Sequence, residues 1–186
     1  MRKSRMNNKG YSLVELVIVL AIIMILTAMS LISLTILKTA RAKDACITTG
    51  EEINALKMRS MNMSPNDGTH DKFGLSIYKD IDDIYHVAQI QHNSTTGDYD
   101  YVVGENIKLS SAVEIKFTGD LESQSSAVTD YVPGNKNGTG TDSPIIILFD
   151  KRGNCYSGAG NISFYKRNGN RVSRIEIKSS GSVDIR

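Results

Sequence analysis

Residues 16 to 37, LVIVLAIIMILTAMSLISLTIL, run without a charged side chain between Glu15 and Lys38. As a helix these twenty-two residues span roughly 33 Å, close to the hydrocarbon thickness of a bilayer. Thr27, Ser30, Ser33 and Thr35 do not disqualify the span, because each can bond back to a carbonyl of the preceding turn. Beyond Lys38 the pattern changes. Ala42, Cys46, Thr49, Ile53, Leu56, Ser60 and Met63 recur at alternating steps of four and three, which aligns one helical face. Lys43, Asp44, Glu51 and Glu52 fall largely elsewhere. The first firm stop is Pro65 followed by Asn66-Asp67-Gly68. One helix from Tyr11 to Met63 is expected, with Gly50 its weak point at about 1 kcal/mol against alanine.

After residue 70 the period becomes two. The pattern predicts strands over 73–78, 84–91, 99–103, 112–117, 144–149, 162–165, 172–178 and 182–185. Val113, Ile115 and Phe117 alternate with Glu114 and Lys116, giving one buried and one wet face. Asn168-Gly169 suits a tight hairpin turn. The run Ile145-Ile146-Ile147-Leu148 lacks alternation and is expected centrally, covered on both sides. Residues 119–143 shift to Gly, Ser, Thr, Asp and Asn and read as an exposed loop, either a solvated insertion or a contact surface.

Charge sharpens this division. The net charge of +2 hides a leader with Arg2, Lys3, Arg5 and Lys9 and no acid, which predicts a cytoplasmic N-terminus with the remainder exported. Residues 11–150 hold 10 basic and 18 acidic side chains, and residues 151–186 hold 8 and 2. Cys46 and Cys155 show no CxxC spacing; a bridge between them would pin the sheet domain to its helical stem, while two buried thiols are the plainer expectation. No G-x-S-x-G, Walker-type loop or HExxH is present, so no enzyme activity and no cofactor are expected. His70, His86 and His92, even with Asp71 or Asp82, match no metal-ligand spacing. Asp80, Asp82 and Asp83 lack the glycine and distal glutamate of a calcium loop and read as a solvated turn.

The basic leader, Gly10, then Tyr11-Ser12-Leu13-Val14-Glu15 and the apolar run resemble the start of a type IV pilin or type II secretion pseudopilin precursor. The resemblance implies cleavage between Gly10 and Tyr11 by a prepilin peptidase and methylation of the new amino terminus at Tyr11. Phenylalanine is usual where Tyr11 stands. It also gives Glu15 a reason: a lone carboxylate among apolar side chains costs several kcal/mol unless paired, and a filament offers it a neighbouring subunit's amino terminus. The plainer reading makes Glu15 an interfacial residue at the membrane edge. A second resemblance, over the last forty or so residues, is to GspH/FimT-type minor pilins and pseudopilins. It rests on Phe149-Asp150-Lys151-Arg152-Gly153 as a turn and Ser179 to Ser182 as the last one, with Ser182 where an arginine is common.

The expected fold is therefore α+β and pilin-like: a long N-terminal helix, half membrane and half amphipathic, packed on a mainly antiparallel sheet domain. Its divisions are a leader over 1–10, a transmembrane or filament-core helix over 11–37, a stem over 38–64 and an exported domain over 65–186. The implied role is a subunit, minor rather than major, of a pilus-like filament or pseudopilus. It would be anchored in the cytoplasmic membrane by a single pass before assembly at the cell surface. Other pilin or pseudopilin subunits, the prepilin peptidase and an inner-membrane assembly platform are the implied partners. Two alternatives stand beside it. Lys166, Arg167, Arg171, Arg174, Lys178 and Arg186 could form a phosphate-binding patch on a DNA-capturing minor pilin. The chain could also be an anchored surface protein that never polymerises.

Overall fold

The computed structural model describes residues 12–63, 69–120, 128–136 and 143–186. Among the described residues a single helix, α1 (Leu13–Asn62), is followed by ten strands. The chain divides into two compact units between Leu37 and Lys38. In the first unit the side chains described along α1 are all exposed, with Leu13 79% and Ile25 57% accessible. Thr27 Oγ1 donates to the carbonyls of Ile23 and Met24, both at 2.9 Å, so its hydroxyl is satisfied within the helix as expected. This is the one described helix long and apolar enough to cross a membrane.

In the second unit the stem of α1 turns one face inward. Ala42, Ala45, Cys46, Thr49, Ile53, Leu56 and Ser60 are buried, whereas Lys43, Asp44, Ile47 and Glu51 are exposed. Met63 leaves the expected stripe, because the helix ends at Asn62 and the next side chain is free to turn outward. Gly50 is no defect. It is buried, and Ile185 Cδ1 lies 2.4 Å from where a β-carbon would stand, so the glycine is a notch that seats a side chain of the last strand.

Two five-stranded sheets complete the core. The first runs β3 (Tyr99–Lys108), β2 (Tyr85–Asn93), β1 (His70–Lys79), β6 (Ile145–Phe149) and β7 (Cys155–Ser157). The second runs β10 (Val183–Ile185), β9 (Arg171–Ile177), β8 (Gly160–Lys166), β4 (Val113–Gly119) and β5 (Val128–Tyr131). Every pairing is antiparallel. Alternation decides the inner faces: Val113, Ile115 and Phe117 from β4, Ile162 and Phe164 from β8, and Ile175 and Ile177 from β9 join one core with Leu75, Ile77, Ile145 and Ile147 and the stem residues. The α+β layout expected from sequence, a long helix on antiparallel sheet, is what the chain adopts.

The first sheet also buries its other face. Leu148 and Ile90 meet over Gly74, whose absent β-carbon would lie 2.6 Å from Leu148 Cδ2. That is why the 145–148 run shows no polar alternation. Three details depart from the expected strands. Residues 119–143 are not loop throughout, since β5 pairs there with β4 (Phe117↔Tyr131, Gly119↔Val128) and Tyr131 Oη donates to the Ser143 carbonyl at 2.5 Å. Four residues are too few to declare a period among polar neighbours. The three-residue β7 escaped notice for the same reason. β3 runs five residues past its expected end at Val103, because Gly104, at φ 88°, allows an irregularity and the strand resumes beyond it.

Candidate processing and assembly site

Gly10 and Tyr11 lie outside the described residues. Glu15 sits in the first turn of α1 and is exposed. Ser12 is its cap: Ser12 Oγ accepts from the Val14 N–H and the Ser12 carbonyl from the Leu16 N–H, both at 3.2 Å. Ser12 and Glu15 thus hold the spacing of a capping box, and a carboxylate there also faces the positive end of the helix dipole. The Ser-x-x-Glu spacing of residues 12–15 carries that signal in the sequence.

At the other end of the chain the two turns singled out from sequence meet. Asp150 Oδ1 accepts from the N–H groups of Arg152 and Asn154, both at 2.8 Å, and Oδ2 accepts from Asn154 Nδ2 at 3.0 Å. Gly153 and Gly181 both take positive φ, and a β-carbon on Gly181 would fall 1.7 Å from the Gly153 carbonyl oxygen. Lys57 from the stem donates to the Gly181 carbonyl at 2.7 Å, and the Cys155 N–H donates to the Ser179 carbonyl at 3.1 Å. Helix, first turn and last turn are thus tied at one point, and Lys57 is the residue that sequence reasoning missed there.

The six basic residues considered for phosphate binding carry much of their own counter-charge. Arg167 pairs with Asp83 at 2.7 Å and donates to the Ser111 carbonyl. Arg174 and Arg186 approach Glu176 at 4.0 and 3.5 Å, and Lys178 approaches Asp184 at 4.0 Å. Lys166 is half-buried and Arg171 exposed, on either side of the turn between β8 and β9. Cys46 and Cys155 are separate buried thiols: burial pushes both upward, Cys155 to about 11, and Cys155 Sγ donates to the Ser157 carbonyl at 3.0 Å.

Among the described residues no three His, Cys, Asp or Glu side chains gather around a metal-sized space. Each histidine instead meets one aspartate: His70 with Asp100 at 3.0 Å, His86 with Asp80 at 2.8 Å and His92 with Asp71 at 2.6 Å. The hydrogen bond from His70 holds Asp100 below its ordinary value of 3.8, and that from His92 does the same for Asp71. The Ile84 N–H lowers Asp80, and the Asn154 side chain lowers Asp150. A depressed folded value contributes stability that is whole above the unfolded value and lost as pH falls through the folded one. Thermal unfolding of the detergent-solubilised chain, followed by circular dichroism, should therefore show a midpoint steady near neutrality that falls as pH drops below about 4. A midpoint unchanged down to pH ~2 would refute the contribution of these carboxylates.

Residues 5–31 match the family model of the prokaryotic N-terminal methylation motif. The chain carries a prepilin-type N-terminus. The prepilin-type segment covers Gly10, Tyr11, Ser12 and Glu15 and most of the apolar run, through Leu31. With the apolar helix it indicates membrane anchoring, a structural pilin-type role, and partners among pilin subunits and prepilin peptidase in general. No curated protein and no solved structure matches the chain.

Proposed function

We propose that this chain is a subunit of a type IV pilus-like filament or of a type II secretion-type pseudopilus. Cleavage after Gly10 frees Tyr11 for methylation, the apolar helix packs among the helices of other subunits, and Glu15 pairs with a neighbour's amino terminus. The observation that carries this reading is a coincidence of position: the prepilin-type match over residues 5–31 falls on a helix whose described apolar side chains are exposed. A helix this apolar needs lipid or other helices around it, and a filament core supplies the second after the first.

Mass spectrometry of the mature protein tests the reading. The expected N-terminal residue is methylated Tyr11. An intact Met1, or cleavage beyond the apolar run, would overturn it.

A further inference from the structure

A cavity of about 240 Å³ opens where the stem ends. Phe73, Phe149, Tyr156 and Met63 give it an apolar lining, with Lys72 and Lys151 at its edge. Its size suits one side chain better than a drug-sized ligand. Ser60 also lines it; the residue is 6% exposed, and its hydroxyl has no hydrogen-bond partner among the described residues. A buried hydroxyl left unpaired is costly, so this one is a donor awaiting an acceptor. Asp71 and Asp150 share that edge: Asp150 accepts from its own turn, Asp71 meets His92 and lies 3.9 Å from Lys72, and Lys151 meets no carboxylate among the described residues.

At the opposite end of β1, whose ten residues span about 33 Å, the turn into β2 presents the complement. Ile81 is 97% exposed. Asp80 is occupied by the N–H groups of Asp82 and Ile84 and by His86, and Asp83 by Lys79 and Arg167. Among the described residues Asp82 is the carboxylate of this turn without a partner, and the Ile81 and Asp82 carbonyls accept no hydrogen bond.

We propose that sheet domains stack head to tail, the Ile81 turn of one copy entering the cavity at the stem end of a second copy of this chain. Ile81 meets the aromatic lining, Asp82 pairs with Lys151, and a turn carbonyl accepts from Ser60. The two surfaces differ and lie at opposite ends of one strand, so the contact is heterologous and can repeat from copy to copy. The proposal rests on the filament reading, since filaments bring copies into one direction, and it adds a contact independent of the apolar helix.

Cysteine cross-linking in filaments sheared from cells expressing the full chain tests it. A variant carrying both Ile81→Cys and Met63→Cys should give, on mild oxidation, a ladder of dimers, trimers and longer products. Either single variant should remain monomeric or stop at dimers. Asp82→Lys or Lys151→Asp in the double-cysteine background should reduce the ladder about fivefold or more, and the two reversals together should restore it. Filaments that form normally but yield no ladder would overturn this inference and leave the function standing. Absence of filaments from the wild-type chain would instead count against the function. Cross-links of a mass that fits a different protein would overturn the second copy as occupant.

Discussion

Glu15→Ala leaves the apolar helix able to enter membranes and lowers its incorporation into filaments about tenfold or more. The argument is electrostatic. In a bundle of apolar helices an amino terminus and a carboxylate each cost several kcal/mol when buried alone, and pairing offsets that cost only when both are present. Each 1.4 kcal/mol lost is about a factor of ten in an assembly equilibrium. The cap geometry supplies a control, because Glu15 also stands three residues after Ser12, whose hydroxyl accepts from the Val14 N–H. Glu15→Gln keeps a side chain able to complete a capping box while removing the charge. Glutamine is therefore expected to fail like alanine. The measurement is the ratio of sheared filament protein to membrane-held protein. If glutamine assembles as well as glutamate, the residue serves the helix end and not the neighbour.

Gly181→Ala should be the most damaging single-atom change in the sheet domain. Its φ of 79° lies in the left-handed region, where a side chain costs about 1–2 kcal/mol. The new carbon would also lie 1.7 Å from the Gly153 carbonyl oxygen, a backbone atom that cannot rotate away. Either the last turn or the Asp150 turn must move. Movement of the last turn breaks the Lys57 hydrogen bond to Gly181 and the Cys155 hydrogen bond to Ser179. A total loss on the order of 3 kcal/mol follows. Limited proteolysis of the solubilised chain reads it, as cleavage within the sheet domain at least tenfold faster than in the parent. Gly97→Ala is the comparison. It also has positive φ, at 78°, but a β-carbon there meets nothing within 4 Å, so only the backbone strain should register.

Much of this architecture could be read from local pattern. The apolar run, the stem stripe and the alternation of β4 are short-range signals that the structure follows. What local pattern could not give is which strands meet. The partition into two sheets depends on pairings such as Gly74 with Leu148, far apart in the chain. The notch at Gly50 was invisible for the same reason: only the arrival of Ile185 distinguishes it from a flaw. The prepilin-type pattern was legible because peptidase recognition and helix insertion are both read from contiguous sequence. The cavity was not, since its walls come from residues 60 to 156. Ile81 amid three aspartates did carry a trace, but an apolar residue in an acidic turn has no meaning until its exposure is known.

The position of β1 has a consequence for biosynthesis. It lies between β2, its neighbour in the chain, and β6, whose pairing residues are 68 to 74 positions later. As the polypeptide is made, the hairpins β1–β2 and β2–β3 can close early. The other side of β1 then stays open, with its main-chain donors and acceptors beside Leu75 and Ile77. Such an edge invites pairing with any nascent chain close by. That edge closes only once β6 has been made and pairs with β1.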